Sequence, residues 1–157
     1  VMGSACQRSP FLSAILMKYS ILSACAIAAA ILCTPAIGHE YYARSFKVIH
    51  PWAEPTPAGA KSAEVYMKIE QISEGDRLLS AQTSFAEKVE LHAGPATTAP
   101  LSAIDLPPGP DIDLDAGRGY LRLVNLTAPL QWGRSYPMTL MFEKSGPVDV
   151  MISVGAH

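Results

Sequence analysis

The chain has 157 residues, 17% of them charged and 49% hydrophobic, which suits one globular domain and leaves little room for two. A formal net charge of −2 and the lack of a basic block argue against a nucleic-acid partner. All 14 acidic residues follow Gly38, whereas Arg8 and Lys18 precede it, so a chain beginning at His39 holds ten basic and fourteen acidic residues, a formal charge of −4.

That asymmetry has a source. Met17-Lys18 opens a short positive region, Ile21 to Cys33 is an apolar run, and Ala36-Ile37-Gly38 places small residues where a signal peptidase reads. Residues 1–38 therefore read as an N-terminal extension plus secretory signal, too short for a comfortable membrane span, and 39–157 as the exported domain. The mature chain is therefore expected to be exported and to carry no membrane span. A rival exists in Leu22-Ser23-Ala24-Cys25, which resembles a bacterial lipoprotein box. It is disfavoured because the apolar region before Cys25 is too short from Met17 and is interrupted by Lys18 from Met2. Cys6, Cys25 and Cys33 all fall in the part to be removed. A mature chain without thiols excludes a disulfide framework, a Cys-x-x-Cys redox pair, a thiolate metal site and a cysteine nucleophile.

His39 would be the mature N-terminal residue. Its α-amine and imidazole can both bind one Cu(II) ion, which makes it a candidate ligand, alone or with another histidine; the plain alternative is a frayed end. Ser45 to Ile49 alternates as a first strand. Pro51 to Lys61, with three prolines and a glycine, reads as an ordered loop or edge segment, with His50 hydrogen-bonded there and Trp52 as a lid over the core. Ala63 to Gln71 sets Val65, Met67 and Ile69 against Glu64, Tyr66, Lys68 and Glu70. Arg77–Gln82, Lys88–His92, Asp111–Leu114, Tyr120–Leu123, Tyr136–Glu143 and Val148–Val154 complete about eight strands. Met67 and Met151 fall on apolar strand faces and read as core; Met141 reads as exposed. With no helical period after the signal, the pattern is an all-β sandwich.

Two stretches frame the chemistry. Val89-Glu90-Leu91-His92 and Tyr120-Leu121-Arg122-Leu123 each alternate, which places His92, Tyr120 and Arg122 on polar faces across the turn-rich segment Ala93 to Gly119. His92, polar-face and at a strand end, is the strongest metal-ligand candidate on position, although a lone surface histidine is the commoner case. No nucleophile elbow, phosphate loop, paired-histidine zinc motif or dinucleotide fingerprint is present, so an enzyme is not expected.

Taken in order, His39-Glu40-Tyr41, Ile49-His50-Pro51-Trp52-Ala53, Ala63-Glu64-Val65-Tyr66-Met67, Asp76-Arg77-Leu78-Leu79, Val89-Glu90-Leu91-His92, Leu106-Pro107-Pro108-Gly109, the Pro129-Leu130 and Gly133 turn, and Leu140-Met141-Phe142-Glu143-Lys144 resemble the periplasmic PCuAC copper chaperones over nearly the whole exported chain. The resemblance implies a single-domain, cupredoxin-like Greek-key β-sandwich. It also implies copper as the ion carried, and a copper-receiving or copper-donating periplasmic protein as partner. The family's copper site uses a histidine after the Val-Glu-Leu strand, a methionine in the following loop, and a His-x-Met pair two strands later. His92 matches the first. The loop from Ala93 to Ile104 contains no methionine, and the pair falls on Tyr120-Leu121-Arg122. A phenol is a poor Cu(I) ligand, and a guanidinium has no lone pair to give. At ~4 Å and an effective dielectric near 20, it would repel a cation by about 4 kcal/mol. The expectation is a degenerate Cu(I) site, with Arg122 paired to a carboxylate such as Glu90 or stacked on an aromatic ring. Two readings follow: a copper-handling member that binds Cu(II) through His39, or a non-metal-binding structural or protein-interaction module on the same fold.

Overall fold

The computed structural model describes residues 39–94 and 99–155. The signal segment, all three cysteines and His157 lie outside them. Ten strands are formed among the described residues: β1 (Glu40–Tyr42), β2 (Lys47–Ala53), β3 (Ser62–Glu70), β4 (Asp76–Gln82), β5 (Ala86–His92), β6 (Ile104–Leu106), β7 (Ile112–Leu114), β8 (Tyr120–Leu126), β9 (Ser135–Phe142) and β10 (Gly146–Val154). They join in one sheet of order β5-β8-β3-β2-β10-β9-β4-β6, with β1 added to β2 and β7 to β3. All pairs are antiparallel except β10 on β2. The described residues contain no helix that is long and apolar enough to cross a membrane.

Period-2 alternation builds this sheet. In β3, Val65, Met67 and Ile69 are buried while Glu64, Tyr66, Lys68 and Glu70 lie on the outer face. In β10, Val148, Val150, Ile152 and Val154 join Leu121, Leu123, Leu140 and the edge-to-face pair Phe46–Phe142 in the core. Burying each such side chain contributes about 1.5–3 kcal/mol. One buried carboxylate fixes the far corner. Asp76 accepts hydrogen bonds from the backbone N–H of Arg77 (2.7 Å), Lys144 (2.9 Å) and Ser145 (2.9 Å), which ties the β9–β10 turn to the start of β4. Burial pushes its carboxyl up, yet these donors outweigh that and hold it below the usual carboxylate range.

The structure corrects several expectations. Pro51 does not end the first strand: β2 runs on through His50-Pro51-Trp52-Ala53. The register on β3 shifts between Ile49 and Trp52, and His50 takes a left-handed φ of 47°. A bulge is one of the few places where a sheet tolerates proline, because its missing N–H then costs no ladder bond. Trp52 sits on the outer face against Tyr66 rather than over the core (centroids 4.9 Å). Met151 is not core but 37% exposed, whereas Met67 is buried as expected. Met141 is half-buried against Ser80 on β4. The segment 39–42 is not frayed, since Glu40, Tyr41 and Tyr42 pair with Ile49, Val48 and Lys47. Two short strands, β6 and the end of the turn-rich segment at β7, edge the sheet.

Candidate metal centre

Four adjacent strands carry aromatic rings across the outer face. His92 of β5 lies in register with Tyr120 of β8, and Trp52 of β2 in register with Tyr66 of β3. Ring centroids step 5.3 Å from His92 to Tyr120, 6.2 Å from Tyr120 to Tyr66 and 4.9 Å from Tyr66 to Trp52. Ser153 of β10 is next in register after Trp52. Its Oγ lies 3.1 Å from His39 Nδ1. The two candidate ligands, His92 and His39, thus stand at opposite ends of one row, four strand spacings of ~4.8 Å apart along the sheet, and cannot share an ion.

The His92 end is closed. The expectation of polar-face positions for His92 and Tyr120 is overturned: they are 2% and 1% exposed. Their rings stack at 9°. The Tyr120 ring lies flat against the His92 ring, and the strand is extended sideways by Leu101, whose N–H donates to the Leu91 carbonyl (2.7 Å). His92 Nε2 is 3.2 Å from Glu90 Oε2. The hydrogen bond from Lys88 and then the one from His92 hold the Glu90 carboxyl below its usual range. Burial, with the Glu64 charge nearby, raises the Tyr120 phenol, and Arg122 works against that rise. Among the described residues the Tyr120 hydroxyl has no hydrogen-bond partner.

Arg122 does not pair with Glu90 as expected. It is in register with Glu90 on β5 and with Glu64 on β3. The Glu90 carboxylate is held by Lys88 (2.8 Å) and His92, and the Glu64 carboxylate accepts from the Tyr66 hydroxyl. None of the ion pairs among the described residues includes Arg122. A buried imidazole stacked on a phenol beside a guanidinium offers one nitrogen and one fixed positive charge, a donor set unsuited to a cation.

The opposite end is open. Pairing of β1 with β2 brings His39 opposite His50, whose backbone N–H donates to the His39 carbonyl (2.8 Å). The bulge re-aims His50, and the two imidazoles come to lie 5.9 Å apart at 47°. His39 is exposed and His50 half-buried. Among the described residues there is no group of three or more His, Cys, Asp and Glu that could hold a metal. The two imidazoles need a further donor to make a site; His39 Nδ1 lies 3.1 Å from the Ser153 hydroxyl. Sequence reasoning assigned His50 to a hydrogen bond in a loop. It makes that backbone bond, but to His39, a pairing that no local pattern could signal.

The LpqE-like lipoprotein family model matches residues 46–154. No curated protein matches the chain. Among solved structures, a copper-bound PCuAC domain from PmoF2 is 30% identical with a TM-score of 0.67, covering 76% of this chain and 99% of its own. An apo PCuAC domain from PmoF1 is also 30% identical, with a TM-score of 0.69 and coverage of 76% and 100%. A Cu(I)-bound solution structure from Deinococcus radiodurans, at 19% identity, TM-score 0.58 and coverage of 67% and 74%, shares the fold alone.

Proposed function

This chain belongs to the PCuAC family, by its LpqE-like match and its PCuAC neighbours, and on that premise we propose that it is a copper-binding, chaperone-like protein of the periplasm that holds Cu(II) at His39 rather than Cu(I) at His92. The observation that carries this reading is the 5.9 Å approach of the His39 and His50 rings at the exposed end of the row. Removal of residues 1–38 would free the His39 amine. Amine, His39 Nδ1 and a His50 nitrogen then supply three neutral nitrogen donors, a set that favours Cu(II) in tetragonal geometry. Copper is cargo here, exchanged with a copper-donating or copper-receiving periplasmic protein, and no enzymatic step is assigned. On this reading the family's Cu(I) site is degenerate in this chain: of its ligands only His92 remains, and it is buried with its ring stacked on Tyr120.

The test is a titration of the exported chain with Cu(I) and Cu(II), beside His39→Ala and His92→Ala. The expected result is Cu(II) binding that weakens by about 100-fold, or 2.7 kcal/mol, in His39→Ala and survives in His92→Ala. Tight Cu(I) binding that requires His92 would overturn the reading. Binding of neither ion would leave the alternative, a structural or protein-interaction module. Mass spectrometry of the exported protein decides whether it starts at His39. A lipid-modified start at Cys25, in line with the lipoprotein description of the matched family, would leave His39 with an amide in place of its amine.

A further inference from the structure

Two residues from Ser153 on β10 stands an exposed methionine, Met151, that the nitrogen site does not use. Met151 precedes Ser153 by two residues on β10, so both side chains leave the same face of the strand. The Ser153 hydroxyl on that face reaches His39 Nδ1 at 3.1 Å. Met151 is 37% exposed on a strand whose alternate residues, Val150 and Ile152, are almost fully buried. Its backbone, by contrast, is pinned. The Tyr41 hydroxyl accepts from the Met151 N–H (2.9 Å) and donates to the Met151 carbonyl (3.3 Å). Tyr41 follows His39 by two residues on β1. The short strand that follows His39 therefore also pins the backbone of Met151. A methionine side chain has three rotatable bonds and a polarizable sulfur, so a pinned backbone and an exposed side chain give a donor with fixed origin and adjustable reach.

Resting on the proposed His39 site, we infer that the Met151 thioether is a Cu(I)-selective ligand of that site. The two imidazoles serve either oxidation state, and the sulfur adds affinity only for the softer ion. A carrier built this way keeps hold of copper in both oxidation states, without the methionines that its family places around His92.

The test uses the chain beginning at His39, loaded anaerobically with Cu(I) against a chromophoric Cu(I) chelator, and separately with Cu(II). Met151→Leu keeps the volume and removes the sulfur. It is expected to weaken Cu(I) binding by about tenfold and to leave Cu(II) binding within about twofold. Met141→Leu, on β9 and away from β1, serves as control and is expected to change neither. X-ray absorption of the Cu(I) form is expected to show one sulfur in the copper shell of the parent and none in Met151→Leu. An unchanged Cu(I) affinity in Met151→Leu, or a parent spectrum without sulfur, overturns this inference while leaving Cu(II) binding at His39 intact. Failure of the parent to bind Cu(II) at His39 overturns both.

Discussion

His92 and His50 each stand near the end of a paired stretch on the outer face of the same sheet, and they meet opposite fates. His92 is buried against a parallel phenol ring, with Glu90 at its Nε2. His50 sits on a bulge with a left-handed backbone, partly open, against the exposed ring of His39. The difference teaches that a histidine's availability to metal is set by what crosses over it, not by its place in the alternation. A buried imidazole is screened from solvent ions, whereas one at a bulge is left partly exposed. Left-handed backbone at a residue other than glycine costs on the order of 1 kcal/mol, and such strain gathers at binding sites.

The sharpest way to break this contrast is at the closed end. Tyr120→Ala removes the ring between His92 and Tyr66, and is expected to cost about 3–5 kcal/mol of stability in urea denaturation while Cu(II) affinity stays unchanged. A loss of Cu(II) affinity in that variant would mean that the two ends are one site. At the open end, His50→Ala is expected to weaken Cu(II) binding by about tenfold and to remove one nitrogen from the copper spectrum by electron paramagnetic resonance, with little change in folding. An unaltered spectrum would detach His50 from the site.

Smaller effects sharpen the picture. Tyr120→Phe deletes a buried hydroxyl that lacks a partner, so stability is expected to hold or rise by up to ~1 kcal/mol, measured by the same denaturation. A drop of that size would show that the hydroxyl is satisfied in solution. Glu90→Gln tests the electrostatics of the closed end. The folded-state carboxyl of Glu90 is depressed by Lys88 and His92, so its contribution is present above the unfolded carboxylate range and is lost as pH falls through the folded value. The variant is expected to be less stable by under ~1 kcal/mol at pH 7 and to match the parent at acid pH. A gap that persists in acid would assign the effect to packing instead.

The amino-acid sequence by itself determined the all-β architecture and most of the strands, because alternation is a local property. Val65-Tyr66-Met67 and Val148 to Val154 declare their inner and outer faces wherever the sheet goes. The order of motifs likewise made the PCuAC resemblance legible, and the replacement of a His-x-Met pair by Tyr120-Leu121-Arg122 could be read directly. Burial at strand ends could not. His92 alternates as a polar-face residue, and only the register of β8, which lays the Tyr120 ring against it, accompanies its burial. Met151 was expected in the core, yet strict alternation already turns it outward, because Val150 and Ile152 on either side of it take the inner face. The meeting of His39 with His50 depends on pairing β1 with β2 and on a bulge that carries Pro51 through the strand. Those contacts join residues distant along the chain, and pairing across a sheet is settled by the energy of the whole assembled core rather than by the pattern of any one segment.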